Sequence, residues 1–287
     1  MKSPRVAEKR AAAKKLEAKR RRNRNIVRWS VAVAAVAAVV AIVFAGTAAT
    51  SQKEEAKQKE TASLKLNKPD LATATGSFTV NSAGKAVPLD EADSKLPRIE
   101  FIFDPQCPGC HLVETGTHDT VQSLMKEKKA QFYFTPVSFL NDASTDDYSA
   151  RAASTVIEVA ETDPEHFYDY ISEIYKDKNF PGEGPDYPRD GVSYADLGKV
   201  AKEAGVSQKA IDRFDEQRFR LWVLENTKVN AARTEIFSSG ISTPTVLMGG
   251  ELKEEGGRFV LKDFTKVPFK DPDVDKTFRD EFAKVSN

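Results

Sequence analysis

The chain has 287 residues, 43 basic and 43 acidic side chains, 40% hydrophobic residues and two cysteines. That length exceeds one typical domain and suffices for a sizeable core, and the apolar content excludes wholesale disorder. Two cysteines exclude a disulfide-stapled miniprotein and a zinc site built from four thiolates.

The balanced charge averages two opposite regions. Residues 1–28 hold 12 Lys or Arg against Glu8 and Glu17, a net +10, which leaves a net −10 on the rest. Trp29–Gln52 then runs 24 residues without a charge, and Val31–Ala49 contains only Val, Ala, Ile, Phe, Gly and Thr. As a helix this run reaches roughly 36 Å at about 1.5 Å per residue, enough for a hydrocarbon core of about 30 Å. We read 1–28 as a basic cytoplasmic tail and 29–50 as a single transmembrane helix, with everything beyond it outside the cell membrane by the positive-inside rule. The rival is a cleaved signal peptide ending at the small residues Thr47-Ala48-Ala49. Both readings export the body. A tail abutting a span meets anionic lipid, so no nucleic-acid partner is expected. Residues 51–75, rich in Lys, Glu, Thr and Ser, read as a linker.

The body, 76–287, opens with a short strand at Ser77–Val80 and a turn at Asn81–Gly84. Arg98–Phe103 is a stronger strand, Cys110–Lys128 has a helical pattern, and Gln131–Val137 is a second strong strand. Strand, helix and strand in this order form a βαβ unit with parallel pairing. From about 145 to 239 the pattern is helical, with Asp163-Pro164-Glu165 and Ser193 as helix openings and Phe219–Phe237 as one long helix. Thr243–Met248 and Arg258–Lys262 read as two strands joined through a Gly249-Gly250 turn, and Asp273–Val285 closes as a helix. The fold class is α/β with an inserted helical subdomain.

Chemistry concentrates at Cys107-Pro108-Gly109-Cys110. A strand ends before this motif and a helix starts at it, so Cys107 can occupy the N-cap and Pro108 the first helical position. Free N–H groups and the positive end of the helix dipole then face the first sulfur and favour its thiolate, the nucleophile of disulfide exchange. Cys110 lies one turn deeper on the same side, placed to resolve a mixed disulfide. Two bland readings stand beside this one. The pair could be half of a metal site with His111, although His118 and His166 show no ligand spacing. It could also be a structural disulfide, although so short a loop removes little unfolded-state entropy.

The second motif is Ile241-Ser-Thr-Pro-Thr-Val-Leu-Met-Gly-Gly250. Together with the CxxC at a helix start and the helical insertion, it resembles the DsbA family of thioredoxin-fold thiol–disulfide oxidoreductases, of the membrane-anchored bacterial type. The likeness spans roughly Gly76–Asn287 and is most specific at Asp104–Cys110 and Val223–Gly250. It implies a cis Thr243–Pro244 bond beside the active site, with the Thr243 backbone pairing an incoming substrate strand. The edge-strand alternative is a trans proline. Two positions depart from the family. The buried acid commonly found six residues before the first cysteine is replaced by Phe101, which leaves Glu100 and Asp104 as candidate proton acceptors for Cys110. Glu100 should point to the opposite sheet face. Gly109 stands where the strongest oxidants carry His, which predicts a reduction potential between the thioredoxin and DsbA extremes.

The resemblance thus implies an extracytoplasmic, membrane-tethered oxidoreductase that forms disulfides in exported cysteine-containing proteins and is recycled by a membrane redox partner. No organic cofactor or metal is expected beyond the redox-active Cys107–Cys110 pair. The alternatives are a reductase or isomerase of the same fold, and a non-catalytic adaptor.

Overall fold

The structure, a computed structural model, describes residues 63–143, 146–180, 192–238, 240–255, 258–269 and 273–286. The chain divides into two units after Ser63. The basic tail 1–28, the span at 29–50 and residues 51–62 of the linker lie outside the described residues. Among the described residues, no helix is long and apolar enough to cross a membrane.

The body is built around a six-stranded sheet of order β2-β1-β4-β3-β5-β6. Its strands are β1 (Phe78–Val80), β2 (Ala86–Val87), β3 (Arg98–Phe103), β4 (Gln131–Pro136), β5 (Thr245–Glu255) and β6 (Arg258–Lys266). Helix α1 (Pro108–Lys126) crosses from β3 to β4, which pair in parallel from Arg98↔Gln131 to Phe103↔Pro136. The other pairings are antiparallel. Among the described residues, five α-helices stand between β4 and β5: α2 (Tyr148–Thr162), α3 (Phe167–Ile174), α4 (Tyr194–Glu203), α5 (Gln208–Ile211) and α6 (Arg220–Ala231). Helix α7 (Val274–Val285) follows β6. This is the expected thioredoxin-like α/β arrangement with an inserted helical subdomain.

Alternation along β3 sorts its side chains between two faces. Ile99, Phe101 and Phe103 join the larger core with Val113, Val121 and Met125 of α1 and Phe278 of α7. Phe101 stacks on Phe134 at 5.3 Å and on Phe278 at 5.9 Å. Ile102 turns to a second cluster with Ile236, Phe237, Leu247 and Leu261. Each such fully buried side chain contributes about 1.5–3 kcal/mol, so α1 is fixed on the sheet along most of its length and the loop feeding it inherits that rigidity.

Four expectations need correction. Residues 64–75 are part of the body rather than linker: the Leu71 N–H donates to Glu161 Oε1 at 2.9 Å, and the Asn67 side chain donates to the Arg218 carbonyl at 2.9 Å. Their polar composition conceals this, because they dock through hydrogen bonds. The long helix stops at Ala231 instead of reaching Phe237, because Asn230 bonds to the Thr75 carbonyl and Arg233 turns inward to Glu100. The helix opening at Asp163-Pro164-Glu165 keeps Asp163 as its cap and Pro164 first, but its opening turn, Pro164–His166, is 3-10 and leads into α3, and the Asp163 carboxylate accepts from the Ser207 N–H at 2.6 Å. Gly249-Gly250 is not the hairpin turn. Both residues lie inside β5 with φ of 72° and 86°, and pairing resumes at Glu251↔Lys262. Gly250 faces the Lys262 carbonyl so closely that a Cβ would sit 2.8 Å from it, so the kink requires glycine.

Candidate active site

The site is assembled where β3 runs out. The Asp104 carbonyl accepts from the Cys107 N–H at 2.9 Å and its Oδ1 accepts from the Gln106 N–H at 2.8 Å, so Asp104 closes the turn twice over. Cys107 is the N-cap of α1 and Pro108 its first residue, as the spacing predicts. Proline is suited there because its missing N–H would be unsatisfied in any case.

Opposite the motif, the Thr243–Pro244 bond is cis. The Cys107 Sγ donates to the Thr243 carbonyl at 3.3 Å. Pro244 packs directly over Gly109: a Cβ at position 109 would lie 2.7 Å from Pro244 Cδ and 3.7 Å from Cys107 Sγ. Glycine between the cysteines therefore admits the proline loop at contact distance. The Thr245 hydroxyl closes that loop onto the Ser242 carbonyl at 2.8 Å.

Both cysteines are free thiols. Their exposures, 5% for Cys107 and 3% for Cys110, barely differ, so accessibility does not distinguish them. Electrostatics does. A hydrogen bond from the Cys110 side chain is the largest influence on Cys107 and outweighs desolvation; with the Cys110 backbone N–H it brings the Cys107 thiol down to about 7. Burial, reinforced by the neighbouring Cys107, pushes Cys110 well above the usual thiol range. One sulfur is set up to carry charge and the other to keep its proton.

Of the two candidate acids, Glu100 is fully buried on the sheet face opposite the larger core that holds Cys110. It accepts from Arg233 Nη1 at 3.0 Å, Arg98 Nη2 at 2.9 Å, Ser77 Oγ at 3.0 Å and Thr135 Oγ1 at 2.9 Å. Desolvation is overcome by the two arginines, which hold its carboxyl down at about 2. Such a group is a fixed structural charge and a poor proton acceptor, so Glu100 is set aside for that role. Asp104 is also fully buried, and burial pushes it up to about 6 against hydrogen bonds from the backbone N–H of Leu140, Ser149 Oγ and the Gln106 N–H. Its charge opposes a thiolate on either cysteine.

Several side chains at the site carry no local motif. Tyr175, beyond α3, donates to the Asp104 carbonyl at 2.7 Å. His111 is engaged by the Tyr175 carbonyl at 2.6 Å and by Asp177 at 3.1 Å, and it stacks on Phe180 at 4.5 Å. Among the described residues no group of three or more His, Cys, Asp or Glu could hold a metal ion. Glu114, one turn beyond Cys110, was detectable from its i+4 spacing; Tyr175 was not, because only the fold brings it here.

A thioredoxin family model matches residues 92–259. No curated protein matches the chain. Among solved structures, DsbA from Mycobacterium tuberculosis superposes in its oxidised form with a TM-score of 0.53 at 24% identity, covering 74% of this chain and 93% of that one. Its reduced form gives 0.50 at 23% identity over 73% and 98%. MdbA, a thiol-disulfide oxidoreductase from Actinomyces oris, gives 0.53 at 14% identity over 75% and 91%. These likenesses concern the fold.

Proposed function

Because the chain belongs to the thioredoxin family, we propose that it is a protein thiol–disulfide oxidoreductase of the DsbA type, working through Cys107-Pro108-Gly109-Cys110. The observation that carries this reading is the asymmetry of the two sulfurs: Cys107 brought down to about 7 at a helix N-cap beside cis-Pro244, and Cys110 buried and pushed up.

In the oxidised protein a substrate thiolate attacks Cys107 Sγ. The Cys107–Cys110 bond breaks, its electron pair stays on Cys110, and Cys110 takes a proton. The substrate's second thiolate then attacks the substrate sulfur of the mixed disulfide, and Cys107 leaves as a thiolate. Two electrons have passed from the substrate dithiol to the protein. A low-pKa sulfur leaves readily, so the asymmetry favours release of the product disulfide. The Thr243 backbone beside Pro244 lines up the substrate strand, and Asp104 limits how far either thiolate is stabilised. The chemistry needs no organic cofactor or metal.

The charge asymmetry of 1–28 and the apolar run 29–50 support a body tethered outside the membrane, with exported cysteine-containing proteins as substrates and a membrane redox partner for recycling. Refolding of a reduced substrate by the oxidised protein tests the activity, with Cys107→Ser as control. Equal yields from both proteins would leave only a binding role.

One observation favours the opposite direction of electron flow. A Cys107 value of about 7 lies near that of thioredoxin, a reductant, and above that of DsbA, about 3.5. Alkylation trapping of the redox state in cells separates the two: mostly disulfide means an oxidase, mostly dithiol a reductase or isomerase.

A further inference from the structure

The Cys110 proton needs somewhere to go, and neither acid flanking the motif in sequence provides a route. Glu100 is held between two arginines on the other sheet face. The Asp104 carboxylate is fully buried and already accepts three hydrogen bonds, from the N–H groups of Gln106 and Leu140 and from Ser149 Oγ.

We propose that Cys110 exchanges its proton through a relay that passes across a small cavity to Glu114, then to His118 and solvent. This deepens the dithiol reading given above and rests on it. Glu114 follows Cys110 by one helical turn, so both project from the same side of α1. Both line one cavity of about 10 Å³, walled by Phe103, Phe134, Tyr175 and Pro244. That size admits roughly one water, and one water is sufficient for proton transfer between two such groups.

Glu114 is 6% exposed. Its Oε1 accepts from Ser172 Oγ at 2.6 Å and faces His118 Nδ1 at 3.3 Å. His118, on the next turn, is a third exposed and completes the path to bulk water. The titratable and charged neighbours are Cys110, His118 and Asp119 on α1, Tyr168 on α3, Tyr175 and Lys176 after it, and Asp104 after β3. The sheet contributes only phenylalanines to the cavity wall near Glu114 apart from Ile102. The Glu114 hydrogen bond raises His118 above its ordinary value. On oxidation Cys110 loses H⁺ to Glu114 as its sulfur forms the S–S bond; on reduction the same proton returns to the departing Cys110 sulfur.

Dithiobis(nitrobenzoate) isolates the step. Reduced protein first attacks through Cys107, releasing one thionitrobenzoate and leaving a mixed disulfide. Cys110 then attacks Cys107 Sγ and expels the second thionitrobenzoate. Glu114→Gln keeps an oxygen for Ser172 but carries no proton, and it is expected to slow the second phase by about a hundredfold or more near neutral pH. The first phase should keep its rate, and the deficit should shrink at high pH as hydroxide takes over. The sign is diagnostic: a carboxylate acting only through its charge opposes the Cys110 thiolate, so its removal would speed the second phase. An unchanged or faster second phase overturns the relay. His118→Gln, at a partly exposed position, should slow the same phase and provides the test if Glu114→Gln does not fold; an unchanged rate there also overturns it. Wild-type protein that releases no second thionitrobenzoate would instead overturn the dithiol reading on which the relay stands.

Discussion

Cys110→Ala deletes the side-chain donor that contributes most to bringing Cys107 down to about 7. A hydrogen bond to a charged group contributes about 1.5–3 kcal/mol, and a thiol is a weak donor, so the low end applies. About 1.4 kcal/mol corresponds to one pH unit, which moves the Cys107 midpoint to about 8. At pH 6 the thiolate fraction then falls from about 9% to about 1%. Nucleophilicity rises with pKa, by about threefold per unit at a Brønsted slope near 0.45. The net expectation is alkylation about threefold slower at pH 6 and about threefold faster above pH 9, with the two profiles crossing between. Iodoacetamide labelling of reduced protein across this range, paired with ultraviolet thiolate absorbance, measures both midpoints. A Cys110→Ala midpoint still near 7, or a wild-type midpoint in the ordinary thiol range, would refute the reasoning.

Asp104→Asn removes a charge that opposes thiolate on both cysteines, so the Cys107 midpoint should fall below about 7 in the same titration. Because Asp104 is raised from 3.8 to about 6, its contribution to stability is present below pH 3.8 and lost as pH rises through 6; the variant should lack that loss in urea unfolding. Glu100 is lowered from 4.5 to about 2, so its contribution is present above pH 4.5 and lost as pH falls toward 2. Glu100→Gln strands Arg233 and Arg98 and should cost about 3–5 kcal/mol at neutral pH, read as a lower urea midpoint, while Cys107 titrates as before. Gly109→Ala puts a methyl 2.7 Å from Pro244 Cδ, and displacement of the proline loop should cost about 1–3 kcal/mol and slow substrate oxidation. Unaltered turnover in that variant would mean the loop yields without consequence.

What could be read in the sequence was what is encoded locally. Arg98–Phe103 is a strand over the expected residues because its aromatic and β-branched side chains suit a strand buried on both faces. The cap at Cys107 followed from Pro108, and the Thr243–Pro244 geometry from a resemblance at those residues. The readings that failed depended on distant partners. Nothing near Arg233 announces that it will leave a helical register to reach Glu100, 133 positions earlier. Likewise Gly249-Gly250 resembles a turn until the register shows β6 running alongside it. β2 has only two residues, Ala86 and Val87, too few to form a pattern. Tyr175 became part of the site because the insertion folds back over the motif, a matter of topology that periodicity does not carry.

The turn that presents Cys107 borrows its polar partners from the insertion: Ser149 of α2 donates to the Asp104 carboxylate, and Tyr175 beyond α3 donates to the Asp104 carbonyl. The helical segment is therefore not an interchangeable cartridge. A chimera grafting these helices from a relative must bring both hydroxyls with it or leave the donor loop half-anchored. Because α2 is buried along nearly its whole length, diversification among descendants of this chain is accordingly channelled to the exposed positions of α4, α5 and α6, where sequence can drift without loosening the sulfur.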